Sequence, residues 1–209
     1  MKQIVIILCP GHCGSTLLGY ILGSHSKAAY VGEIGNLYKY LNNPNRAICG
    51  VCGEKCGFWG KRVNRDGFLD RYNKKNHWQT KILGRVLPRH CNDNIYSRLF
   101  DVTGSNLLID SSHHAHWAEE VVREEHGSEV VIIHMLRDGR AYLASQKRKG
   151  KNLHQRARLW VNRIRDIEKF KKKYSRLQVI QVRYEALVQN TKKPLLRLQV
   201  CSGLNLSPP

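Results

Sequence analysis

Four stretches of the chain are apolar almost without a break: QIVIIL at residues 3–8, NLLID at 106–110, EVVIIHML at 129–136 and LQVIQV at 177–182. Runs of this kind, rich in Ile, Val and Leu, predict parallel strands covered on both faces. A shorter second strand is expected just before Glu33. The segments between them carry helical spacing instead. Leu17, Leu18, Ile21 and Leu22 share one face, and HWAEEVVREEH at 116–126 predicts a short helix. From 152 to 173, Leu153, Ala157, Trp160, Val161, Ile164, Ile167 and Phe170 form one apolar stripe with basic residues opposite, which predicts a long amphipathic helix. Pro194 suits the first position of a last helix. Residues 43–105 break the pattern: cysteine-rich, then aromatic and basic, with weak helical periodicity. They are expected to be a mostly helical insertion that covers the sheet edge or walls a binding site. Strands alternating with helices predict an α/β chain with a doubly wound parallel sheet, whose ligands bind at the C-terminal ends of the strands.

Length and charge narrow this further. A chain of 209 residues suits a single domain spanning 1–209 with a substantial core. Lys and Arg number 35 against 16 Asp and Glu, a net charge of +19. That balance asks for an anionic partner: nucleic acid, an acidic membrane surface or a highly charged small molecule. Residues 147–176 concentrate it, with 13 basic residues against Asp166 and Glu168. The run is either a solvated helix face or a groove for anions. No stretch approaches the roughly 20 apolar residues of a membrane span, and the N-terminal run is too short for a signal peptide, so the expected location is cytoplasmic.

The candidate chemistry begins at CPGHCGST, residues 9–16, directly after the first strand. Gly11 and Gly14 let the backbone approach an anion, and Ser15 and Thr16 add hydroxyls at a helix N-terminus, where N–H groups and the helix dipole favour phosphate or sulfate. The lysine of a nucleotide-hydrolysing phosphate loop is missing, which argues against a P-loop kinase or ATPase. An ordinary tight connection is the other reading of such a turn. A second anion site is expected at LRDGRAYLAS, residues 136–145, where Arg137 leaves a strand and Ser145 sits on the next helix. The two could grip one phosphate from two sides. Asp138 suits the cap of that helix, and a salt bridge between Arg137 and Asp138 is the competing role for the arginine. Two anion sites on one sheet edge suggest a nucleotide with phosphates at two positions.

GHCGSTLL, VGE, LLIDSS, HMLRDGRAYLAS and QVRYEALV, in this order, resemble the motifs of sulfotransferases that use 3′-phosphoadenosine-5′-phosphosulfate (PAPS), in particular the bacterial-type branch similar to carbohydrate- and tyrosyl-directed enzymes. The resemblance covers roughly residues 3–203. It implies a P-loop-type three-layer fold, a central parallel sheet flanked by helices. It also implies transfer of a sulfuryl group to a hydroxyl or amine acceptor, anionic or carbohydrate-like, with 3′,5′-diphosphoadenosine as product and no metal needed for the chemistry. Carried over residue by residue, Gly11, His12, Cys13, Gly14, Ser15 and Thr16 would hold the 5′-phosphosulfate, with His12 and Cys13 standing where many relatives carry Arg and Ser. Arg137 and Ser145 would bind the 3′-phosphate, with Lys149 and Lys151 as weaker candidates, and Tyr184 would lie near the adenosine. Glu33 matches the carboxylate base of tyrosyl-directed relatives. His113 stands where the family often has lysine, and could donate to the sulfuryl oxygens or act as base. Relatives usually continue past the last helix, so the C-terminal part is expected to be shortened.

Two alternatives remain at this level. A non-catalytic nucleic-acid- or nucleotide-binding protein would also explain the charge, although no RNP, zinc-finger or KH pattern accompanies it. Cys49, Cys52 and Cys56 could hold zinc with Cys91, His77 or His90, or be structural thiols or a labile disulfide. The acceptor pocket is expected largely from residues 35–105.

Overall fold

The computed structural model describes residues 1–37, 59, 95–125 and 128–191. Two compact units divide the chain, one of residues 1–33 and 105–209 and the other of residues 34–104. Cys49, Cys52, Cys56, His77, His90, Cys91 and the helix expected from Pro194 lie outside the described residues.

The first unit contains five parallel strands, β1 (Gln3–Leu8), β2 (Ala28–Gly32), β3 (Leu107–His113), β4 (Glu129–Leu136) and β5 (Val179–Arg183), in the order β2-β3-β1-β4-β5. Among the described residues the helices are α1 (Ser15–Gly23), α2 (Ile95–Thr103), α3 (Ala115–Glu124), α4 (Gly139–Arg148), α5 (Leu153–Lys173) and α6 (Tyr184–Gln189). Of these, α2 belongs to the second unit, where it buries Tyr96, Leu99 and Phe100. None of the described helices is long and apolar enough to cross a membrane.

β1 is central because every position after Gln3 is apolar and buried. Val5 and Ile7 lie in register with Val131 and Ile133 of β4 and join a core closed by Leu18 and Leu22 of α1. Ile4, Ile6 and Leu8 point the other way and are equally inaccessible, on a face where α3 meets β1. A half-buried strand would have alternated polar and apolar; this one has water on neither side. α3 and α4 both pack against α5, whose apolar stripe buries Ile167 and Phe170.

The strand boundaries shift at two places for identifiable reasons. β3 extends through Asp110, Ser111 and Ser112 to His113, although its apolar run stops at Ile109. These polar groups are fully buried yet hydrogen-bonded. Tyr30 Oη lies 2.8 Å from Ser111 Oγ; Asp110 accepts from the Ser112 backbone N–H at 2.8 Å and from Trp117 Nε1 at 2.8 Å. A buried carboxylate paired in this way avoids the desolvation cost of an isolated one. β5 begins only at Val179, because the Leu177 N–H is committed to the Tyr174 carbonyl in the turn that ends α5. Asp138 caps α4 by accepting from the Arg140 N–H at 2.8 Å, and Asn152 caps α5 by accepting from Gln155 at 3.0 Å.

Candidate functional site

Every strand of the sheet delivers one candidate residue at its C-terminal end. Glu33 follows β2, His113 closes β3, the turn at 9–14 follows β1, Arg137 follows β4 and Tyr184 follows β5. The strand order therefore sets their order across the edge: Glu33, His113, the turn, Arg137, Tyr184. The connection from β1 runs toward β2 and that from β4 toward β5, so the chain diverges on the two sides of the turn. This is the switch point where open α/β sheets bind ligands.

The turn is held by packing that only glycine permits. Gly14 has φ +90°, and a Cβ there would stand 2.4 Å from Cδ2 of the Tyr184 ring. Gly11, at φ +87°, would meet Arg163 Nη1 at 2.8 Å. Arginines from two elements fasten the turn by its carbonyls: Arg163 Nη1 donates to Pro10 O at 2.8 Å and Arg137 Nη1 to His12 O at 2.7 Å. With the carbonyls tied outward, α1 begins at Ser15, and its first-turn N–H groups have no partners within the helix. Replacing Gly14 with Ala should lower stability by about 1–3 kcal/mol through positive-φ strain alone, with the Tyr184 clash added. An unchanged melting temperature for the Gly14→Ala protein would refute this.

Positive charge surrounds the turn. The Arg137 guanidinium lies 4.4 Å over the Tyr184 ring, and its Nε is buried with no partner among the described residues. Asp138 pairs with Arg140 rather than Arg137, and that contact holds the Asp138 carboxyl down to about 2. His12, ring-stacked on Tyr142 at 6.4 Å, has its pKa lowered by burial, then by the charges of Lys149, His113 and Arg156. Those cations are thus close enough to act on the turn. Ser145 is half-buried on the second turn of α4, and no bond joins it to Arg137. Ser15 is buried, whereas Thr16 is exposed.

On the other side of the turn, His113 Nε2 lies 3.0 Å from Glu33 Oε1 and its Nδ1 lies 3.2 Å from Cys9 Sγ. Burial alone would lower the His113 pKa; the Cys9 sulfur and then Glu33 outweigh it and raise the value to about 10. His113 and His12 are the non-glycine residues with positive φ among those described, at 67° and 52°. Left-handed backbone of this kind carries strain and concentrates at functional sites.

A family model described as the sulfotransferase family matches residues 4–208. The chain belongs to the sulfotransferase family. Three solved sulfotransferases share its fold. The sulfotransferase domain from the curacin biosynthetic pathway is 20% identical, with a TM-score of 0.64 over 100% of this chain and 76% of that one. The sulfotransferase domain of the Synechococcus PCC 7002 olefin synthase is 19% identical, with a TM-score of 0.63 over 97% and 73%. The sulfotransferase from Alicyclobacillus acidocaldarius is 16% identical, with a TM-score of 0.52 over 99% and 83%. No curated protein matches the chain.

In this sulfotransferase the expected residues fall into two connected groups, Glu33 with His113, and Arg137 with Tyr184 and the turn. Three participants escaped the sequence reading. Cys9 stood at the start of the candidate turn without a role of its own, and Arg156 and Arg163 belonged to the basic run at 147–176, open between a solvated face and an anion groove. The two arginines are spaced i, i+7 beside the Trp160–Ile167 stripe, which puts them at its margin, and that spacing was the available signal.

Proposed function

We propose that this sulfotransferase takes its sulfuryl group from PAPS, delivers it to a hydroxyl or amine acceptor, and releases 3′,5′-diphosphoadenosine. The observation that carries this reading is the order along the sheet edge: an anion-binding turn with a carboxylate–imidazole pair on one side and an arginine on an aromatic face on the other. The residues suit such a donor. Gly11 and Gly14 leave the turn open to close approach, and the orphaned Arg137 Nε is a buried donor wanting an acceptor.

The backbone of Gly11 to Thr16 and the N-terminus of α1 hold the 5′-phosphosulfate, with Cys13 contributing through its main chain. Arg137 and Ser145 take the 3′-phosphate, and Tyr184 lies beside the adenosine. The donor supplies an activated sulfuryl group whose phosphate leaves with the bonding electrons as the acceptor oxygen or nitrogen bonds to sulfur. Glu33 receives the acceptor proton, and His113 holds that carboxylate in place and sets positive charge near the transferring oxygens. A cavity of about 270 Å³ opens beside His113, bordered by His114, His116, Arg163, Lys169 and Phe170. Glu119 and Asp166 line it together with Arg163, Lys169 and Lys173, so its lining is mixed in charge and points to a polar acceptor.

Calorimetric titration with 3′,5′-diphosphoadenosine, 5′-AMP and ATP tests the donor. Micromolar binding that requires the 3′-phosphate is expected. Equal affinity for AMP, with nucleic acid bound in a strongly salt-dependent manner, would overturn the reading.

A further inference from the structure

The donor turn is tied down by its oxygens. Three successive carbonyls each accept from a side chain: Pro10 O from Arg163 Nη1 at 2.8 Å, Gly11 O from Cys13 Sγ at 3.3 Å, and His12 O from Arg137 Nη1 at 2.7 Å. A peptide is planar and trans, so its C=O and the N–H that follows point in opposite directions. Each tie therefore sets one peptide plane and holds one oxygen away from the face offered to an anion. An untied carbonyl turned onto that face would set its negative end against a phosphate or phosphosulfate.

The three ties differ in strength. A thiol is a weak donor, and Cys13 belongs to the turn it braces, so it moves with that turn. Arg137 and Arg163 reach in from outside, and a guanidinium gives the stronger, charge-assisted bond. The Pro10–Gly11 plane has the greatest need of such a bond. Gly11 sits at φ +87°, and glycine accepts so wide a range of backbone angles that this plane rotates at little cost. Arg163 Nη1 occupies the space a Gly11 side chain would take, 2.8 Å from where its Cβ would stand. The arginine is carried by α5, which buries Ile167 and Phe170 one and two turns further on, and it also borders the cavity beside His113.

We propose that Arg163 is a positioning residue of the donor turn. From the cavity wall it stops the Pro10–Gly11 peptide from rotating its carbonyl onto the anion face, and so keeps that face lined by N–H groups alone. This rests on the donor assignment above. Arg163 acts through the turn, so its effect falls on any ligand with a phosphate at the 5′ position, whatever the ligand carries at the 3′ position. Arg137 differs in this respect, because its stacked guanidinium also has a buried Nε to offer.

Calorimetric titration of the full chain with 5′-AMP and with 3′,5′-diphosphoadenosine, for wild type, Arg163→Ala and Arg163→Lys, each well below its melting temperature, tests this. Arg163→Ala should bind both nucleotides about 10-fold more weakly, and by the same factor. Lys still has a charged donor for Pro10 O but no planar fork, so Arg163→Lys should recover part of the loss. An arginine of merely structural importance would lower the melting temperature and leave the affinity of the folded protein unaltered. Unchanged affinity for both nucleotides in Arg163→Ala overturns the proposal. A loss confined to 3′,5′-diphosphoadenosine, or no recovery in Arg163→Lys, overturns it as well. Equal wild-type affinity for the two nucleotides, with both weakened in Arg163→Ala, would overturn the PAPS reading and keep the brace; no binding of either overturns both. A second measurement needs no ligand. A methyl at Gly11 displaces Nη1, so Gly11→Ala and Arg163→Ala should be non-additive in denaturant stability, the second costing less once the first is made. Additive losses would separate the two residues and refute the brace.

Discussion

Replacing Glu33 with Gln should lower turnover by about 10²–10⁴-fold, the usual contribution of a positioned general base, while leaving 3′,5′-diphosphoadenosine affinity almost unaltered. The two readouts separate because Glu33 sits at the β2 end of the site, with His113 between it and the donor turn. Gln keeps the size of the side chain and an acceptor oxygen for His113 Nε2, so the contact at 3.0 Å has a substitute. What it removes is the ability to take a proton. The pH profile adds a check. His113, raised to about 10, stays charged to well above neutrality, so the wild-type rate should not fall through the ordinary histidine range near 6.5. A folded group whose pKa is raised keeps its charged form below that value and loses it only as pH climbs through it. Rapid turnover by Glu33→Gln would remove the carboxylate from the chemistry.

The elements legible in the sequence were those whose cause is local. QIVIIL and EVVIIHML became strands at the expected residues because short runs of mostly Ile, Val and Leu suit a strand covered on both sides. The helix expected at 152–173 appears as Leu153–Lys173, with Asn152 as its cap, for the same reason: the stripe and the cap both lie within it. The positions of Glu33 and Arg137 were legible as strand-end residues, and Tyr184 was singled out by the family resemblance. Their partners were not. Cys9 and His113 are 104 residues apart and Glu33 and His113 are 80 apart, and each meeting depends on β3 lying between β2 and β1. No local pattern encodes that order. The competing expectation for Arg137, a bridge to Asp138, loses for a local reason that was within reach. Asp138 faces the N-terminus of its own helix and takes Arg140 there, while Arg137 leaves β4 toward the turn. The same distinction applies to the basic run at 147–176: helical spacing separated its apolar stripe from its charges, but only the packing of α5 put Arg163 against Pro10.

Replacing Arg137 with Ala should weaken 3′,5′-diphosphoadenosine binding by about 1.5–3 kcal/mol, roughly 10- to 150-fold, the range of a hydrogen bond to a charged group. The arginine has two duties that this single number would merge. Its Nη1 ties down the His12 carbonyl, which shapes the turn, and its stacked guanidinium offers a buried Nε to an anion. A comparison of ligands divides them. If Arg137 meets the 3′-phosphate, Arg137→Ala loses affinity for 3′,5′-diphosphoadenosine and hardly any for 5′-AMP. If it only braces the turn, both ligands weaken together, because both place a phosphate at the 5′ position. Lys in its place restores charge without the planar fork or the same stacking on Tyr184, so Arg137→Lys should recover only part of the loss. Equal loss for the two nucleotides would confine Arg137 to the turn and leave the second anion site without its principal ligand. Affinity unchanged for both would remove the arginine from donor binding altogether.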